Sequence, residues 1–129
     1  LRADAAAPSV RWLAAASYHV TLVFLGAMPA EHGVVLRARL PLLLPSAPLV
    51  LPPMCIAAFP SAAAARVLVL ELSRSADLTA LQERVARLAG ELGYPEERRP
   101  YRPHVTLARF SSPAALGPAV FAERPLPSP

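Results

Sequence analysis

Lysine is absent from this chain: all thirteen basic side chains are arginine. That excludes a phosphate-binding loop built around a lysine, and any ATP-dependent ligase working through a lysyl-nucleotide. Asparagine is absent too. With the abundance of alanine, proline, arginine and leucine, this reads as genome composition and not as function. The single cysteine, Cys55, cannot close an internal disulfide, which fits a reducing compartment, most simply the cytoplasm. No apolar stretch is long enough to cross a membrane. The longest one-sided run, residues 34–50, is broken by Arg37, Arg39, Pro41, Pro45 and Pro48, so no membrane partner is expected. No signal peptide is recognisable, and the chain starts at Leu1 without a methionine, so an N-terminal segment is expected to precede it.

What is present suffices for one domain with a real core: 129 residues, of which 54% are apolar. A net charge of +4 favours an anionic partner such as nucleic acid without identifying one. The informative feature is a repeated tetrapeptide, His19-Val20-Thr21-Leu22 and His104-Val105-Thr106-Leu107. These two copies use two of only three histidines in the chain. Both lie in short β-branched, apolar runs, residues 18–25 and 104–110, which read as strands. Residues i and i+2 of a strand share a face, so each copy offers an imidazole beside a hydroxyl. Two copies could face each other across a cleft.

The remaining elements follow from punctuation and period. Residues 9–13 read as a short strand, and residues 1–8 as the frayed end of an alanine-rich helix or a linker. Residues 29–40 read as a helix, with Pro29 in the tolerated first turn and Pro41 stopping it. A strand over about residues 49–57 carries Pro52 and Pro53, which confine it to an edge or a bulge. Residues 66–72 form a strand. Residues 77–92 form an amphipathic helix, with Leu78, Leu81, Val85, Leu88 and Leu92 on one stripe. Ser75 or Asp77 caps its start, and Gly93 and Pro95 end it. One more short strand is expected at residues 119–122. Strands and helices mix without regular alternation, so the fold class is α+β with a largely antiparallel sheet.

Two histidines flanking a phosphodiester divide the work of cleaving it. One removes a proton from the attacking water, and the other protonates the departing ribose oxygen. Threonine hydroxyls donate to the non-bridging oxygens, where charge builds up in the transition state. Arg109 and Arg102, on either side of the second motif, could add charge-assisted contacts. Such a site needs no metal and no cofactor. Strand parity, however, sets Arg109 opposite His104, so its role in the cleft requires a bulge or an early end to the strand.

The competing readings are plainer. A single His-x-Thr in a strand is more often a satisfied structural pair than a catalytic one. Zinc would need more ligands, and only His32 and Cys55 are spare, neither near a motif in sequence. His32 reads as a solvated helix residue, and Cys55 as a small core residue. Trp12 and Phe24 are expected in the core, parity placing Phe24 opposite His19 and Thr21, although a ring at a cleft edge could stack on a base. Residues 96–99, Glu-Glu-Arg-Arg, read as an internally neutralised, solvated loop.

Val10-Arg11-Trp12, residues 19–26 (His-Val-Thr-Leu-Val-Phe-Leu-Gly), Phe59-Pro60, Arg66-Val67-Leu68 and residues 101–109 (Tyr-Arg-Pro-His-Val-Thr-Leu-Ala-Arg) occur in this order. Together they resemble the 2H phosphoesterase superfamily, specifically the bacterial and archaeal RNA 2′,3′-cyclic phosphodiesterases long called 2′-5′ RNA ligases. The resemblance implies a bilobal α+β fold: two mostly antiparallel sheets with outer helices flank a central cleft lined by both motifs. It implies His19 and His104 as the acid/base pair, with His19 the acid for the 3′ oxygen and His104 the base for water. Thr21, Thr106 and Arg109 would bind the phosphate. The expected substrates are RNA ends or small nucleotides with a 2′,3′-cyclic phosphate, opened to 2′-phosphomonoesters without a cofactor by a cytoplasmic monomer. Some members also run the ATP-independent reverse reaction, which agrees with a lysine-free chain. Family members usually carry a further strand and long helix before Arg11-Trp12 and further strands after the second motif. Residues 1–129 are therefore expected to be a single 2H domain from which those parts are trimmed. The alternative from another functional class is an RNA-end binding module without turnover.

Overall fold

The computed structural model describes residues 9–116. The expected strand at residues 119–122 and the expected helix end at residues 1–8 lie outside them. The chain divides into two compact units. One comprises Leu1–Val20, Pro52–Ser73 and Pro103–Pro129; the other comprises Thr21–Leu51 and Arg74–Arg102.

The first unit carries a four-stranded antiparallel sheet in the order β1-β4-β3-β2, made of β1 (Val10–Trp12), β2 (Pro53–Phe59), β3 (Ala65–Leu72) and β4 (His104–Ala114). The apolar run Val67-Leu68-Val69-Leu70 makes β3 a central strand, because both its faces need cover. β2 is an edge strand with a register shift between Pro53 and Cys55, as its prolines require. Small residues set the packing. Ala57, Ala58, Ala65, Ala108 and Ala114 are all buried, and Val69 is fully so. No polar or charged side chain is buried among the described residues. Of the two sheets expected, one is formed within residues 9–116.

The second unit carries α1 (Ala30–Leu43) and α2 (Ala76–Glu91). The start of α2 is fixed by Ser75, whose Oγ accepts from the Leu78 amide at 3.1 Å, a cap worth about 1 kcal/mol. At its end Gly93 takes a φ of +98°. The amides of Gly93 and Tyr94 then turn back onto the Gly90 and Ala89 carbonyls at 3.0 Å each, which satisfies groups the last turn would orphan. Leu78, Leu81 and Leu88 bury the apolar stripe, each worth roughly 1.5–3 kcal/mol. α1 and α2 run antiparallel. Arg39 pairs with Glu91 at 2.9 Å, while the Arg84 guanidinium donates to the Leu43 carbonyl at 3.1 and 3.3 Å. Pro41 does not stop α1, which continues to Leu43. In the last turn a proline forfeits a single backbone hydrogen bond, and the helix tolerates that near its end.

Candidate functional site

The second motif opens β4, one of the two strands with neighbours on both sides. Pro103 precedes it; this residue has no amide to donate, and its carbonyl accepts from Leu72 N at 3.0 Å. His104 pairs with Glu71 and Thr106 with Val69. The next pairing is Ala108 with Leu68, so β4 carries one extra residue there, a β-bulge. Arg109 then pairs with Val67. Cross-strand partners share a face, and Glu71, Val69 and Val67 alternate on one face of β3. The bulge therefore puts Arg109 on the same face as His104 and Thr106, the condition that simple parity would have denied it. Phe59, paired with Val67, lies on this face as well. Its ring meets the His104 imidazole edge-on, with centroids 4.9 Å apart. Cys55 is not a core residue: it is half-buried, and its thiol donates to a Glu71 carboxylate oxygen at 3.8 Å.

The first motif does not form the strand expected over residues 18–25. It makes one antiparallel bridge, Val20 with Val105, between the middle residues of the two motifs. Upstream, Ala15–Ser17 coils into a single 3-10 turn after Leu13 N has bonded the Leu107 carbonyl at 2.9 Å. The chain thus leaves β4 and returns to it. Propensity for strand is present in the first motif, but continuous pairing with a partner is not. The antiparallel register of this bridge sets His19 level with Thr106. The His19 ring is exposed, with Nδ1 2.9 Å from the Ser17 carbonyl oxygen. A carbonyl only accepts, so Nδ1 carries the hydrogen and Nε2 is presented outward.

Thr21 belongs to the second unit and is exposed; its carbonyl accepts a 2.8 Å hydrogen bond from the Tyr101 hydroxyl. Burial pushes the Tyr101 phenol above its ordinary pKa. Phe24 and Trp12 are not core residues: they are 88% and 65% exposed. Parity cannot place Phe24 where no ladder exists, and Trp12 lies on the edge strand β1, paired with Ala108 on the face away from His104. Nor is His32 a freely solvated residue. It is half-buried, with Nδ1 2.8 Å from the Tyr94 hydroxyl. The loop at residues 96–99 is solvated as expected, with Glu97 and Arg99 paired at 3.3 Å. That exposed pair holds the Glu97 carboxyl below its usual value.

One face of the sheet unit therefore gathers His104, Thr106, Arg109 and, by its pairing with Arg109, Arg11, while the bridge sets His19 level with Thr106. Sequence reasoning gave no role to Arg11, Phe59 or Glu71. No period marks them, because cross-strand neighbours have no fixed separation along the chain. The face offers an imidazole, a hydroxyl and two guanidinium groups, with a second imidazole one residue from the bridge, a donor-rich set suited to an anionic ligand. Among the described residues no cluster of three or more His, Cys, Asp and Glu could hold a metal ion.

A family model for the 2′-5′ RNA ligase superfamily matches residues 11–127. A protein of Geobacillus stearothermophilus named RNA 2′,3′-cyclic phosphodiesterase is 31% identical over 108 residues, covering 83% of this chain and 34% of its own. A Bacillus subtilis (strain 168) protein of the same name is 33% identical over 100 residues, covering 77% of this chain and 55% of its own. The chain thus spans between 34% and 55% of the length of these curated relatives. The crystal structure of TT0787 of Thermus thermophilus superposes with a TM-score of 0.68 at 27% identity, over 81% of this chain and 61% of that one. The α+β architecture with an antiparallel sheet agrees with the 2H phosphoesterase fold expected from the motifs. With its family model matched over residues 11–127, the chain belongs to the 2′-5′ RNA ligase superfamily.

Proposed function

We propose that this chain opens 2′,3′-cyclic phosphate ends of RNA, or of nucleotides, to 2′-phosphomonoesters by a two-histidine mechanism that uses no metal. The observation that carries this reading is the bridge between the two motifs at Val20 and Val105, which brings His19 level with Thr106. The names of the two curated relatives support the same activity.

His104 takes a proton from water, whose oxygen attacks the phosphorus. The bond from phosphorus to the 3′ oxygen breaks, and His19 gives its proton to that oxygen. The product keeps its phosphate on the 2′ oxygen. With His19 Nδ1 held by the Ser17 carbonyl, Nε2 is the nitrogen that delivers the proton. Thr21 and Thr106 donate to the non-bridging oxygens, and Arg109, on the same face as Thr106, contributes positive charge toward the phosphate backbone of the substrate. Replacing water by a 5′ hydroxyl in the same step gives a 2′-5′ bond. The strained cyclic phosphate supplies the driving force, so ATP and a lysyl-nucleotide are not required.

The test is a short RNA ending in a 2′,3′-cyclic phosphate, incubated with the protein in EDTA, with the product ends identified. A 2′-phosphate that disappears with His19→Ala and with His104→Ala supports the mechanism. Activity that vanishes in EDTA, or a 3′-phosphate product, refutes it. Salt-sensitive binding of the RNA end without turnover would make the chain a binding module instead.

A further inference from the structure

Arg11 of β1 stands directly opposite Arg109 of β4. Like charges facing each other across an antiparallel pair repel, so this arrangement costs stability unless an anion lies between them. Both side chains are exposed, and among the described residues neither makes a hydrogen bond or an ion pair. Two other arginines are paired with carboxylates, Arg39 with Glu91 and Arg99 with Glu97, and Arg84 donates to the uncharged Leu43 carbonyl. The Arg11–Arg109 pair lies on the face of His104 and Thr106. Thr106 and Arg109 pair with Val69 and Val67, two residues apart on β3. At about 3.4 Å per residue the backbone of the Arg11–Arg109 pair therefore lies roughly 7 Å along the sheet from that of Thr106. That is the scale of one nucleotide step along a single strand.

We propose that Arg11, with Arg109 beside it, forms a second phosphate subsite that takes the phosphodiester one nucleotide before the cyclic end. This rests on the function proposed above and narrows its substrate class. The natural substrate is an RNA chain, and a 2′,3′-cyclic mononucleotide, which lacks that phosphate, is a poor one. Two guanidinium groups on one phosphodiester give charge-assisted bonds and remove the cross-strand repulsion at the same moment.

The experiment compares kcat/KM for a trinucleotide ending in a 2′,3′-cyclic phosphate with that for a 2′,3′-cyclic mononucleotide. Arg11→Ala is expected to cost about tenfold more on the trinucleotide than on the mononucleotide. Arg11→Lys should restore part of that loss. Arg37→Ala, an exposed charge removed from α1, should change neither substrate. An equal loss on both substrates, or none on either, overturns the subsite. The salt dependence of binding to a trinucleotide ending in a 2′-phosphate gives a readout independent of turnover, in which Arg11→Ala should reduce the slope by about one. If the wild type opens neither substrate, the proposed function fails. The slope still decides the subsite, and an unchanged slope overturns it.

Discussion

The second His-x-Thr motif lies inside an eleven-residue strand of one unit, whereas the first is held by a single bridge, and the boundary between the two units falls within it, after Val20. The tetrapeptides are identical, so the difference is not one of local preference. β4 has β3 along one side and β1 along the other, and its motif side chains are half-buried. The first motif has a 3-10 turn before it and Gly26, with a φ of +71°, after it. His104 is set by its strand and by the ring of Phe59; His19 is set by a backbone carbonyl two residues away. The pair teaches that one chemical unit can be positioned in two ways, by a ladder or by a local hydrogen bond.

The largest expected effect asks whether two such different settings do equal work. If the histidines act as acid and base in one step, His19→Ala and His104→Ala should each lower kcat/KM by about 10²- to 10⁴-fold. Thermal unfolding should separate them. His19→Ala is expected to leave the melting temperature unchanged, because the ring is exposed. His104→Ala should lower it through loss of the contact with Phe59. A large kinetic loss in His104→Ala alone would reduce the first motif to a structural feature.

The scaffold beneath each motif is the next comparison. Val69, fully buried and paired with Thr106, supports the second; Val20, half-buried, makes the only bridge of the first among the described residues. Val69→Ala should cost about 2 kcal/mol in denaturant unfolding, as cavity formation in a close-packed region predicts. Val20→Ala should cost less than about 1 kcal/mol. Equal costs would mean that the first motif is packed as tightly as the second, and the contrast between ladder and bridge would lose its energetic meaning.

Most of the sheet was legible because its signals are local. The prolines of β2 confined it to an edge or a bulge, and the continuous apolar run of β3 marked it as a strand. The serine and glycine at the two ends of α2 marked its start and its stop. What escaped was set by partners. Residues 18–25 have as much strand propensity as β4, yet only Val20 is paired, and Phe24 is exposed because no ladder extends to it. Parity shows that Arg109 needs a bulge to share the face of His104, but no residue type signals that β4 has one. Arg11 opposite Arg109 is a fact of register, and register joins residues 98 positions apart that a single sequence does not connect.

The smallest effect concerns how the far end of the first motif is tied down. Tyr101 donates its phenolic hydrogen to the Thr21 carbonyl within the second unit, so Tyr101→Phe should cost about 1 kcal/mol of stability. The sign of its pH dependence follows from the raised pKa, since burial favours the neutral, protonated phenol in the folded chain. The contribution is fully present below the unfolded tyrosine value of about 10 and is lost as pH climbs through the higher folded value. Unfolding at a series of pH values from neutral to strongly alkaline should therefore show the wild type and Tyr101→Phe converging at the alkaline end. A constant gap between them would mean that Tyr101 contributes through packing alone, and that the first motif is no more dependent on a single hydrogen bond than the second.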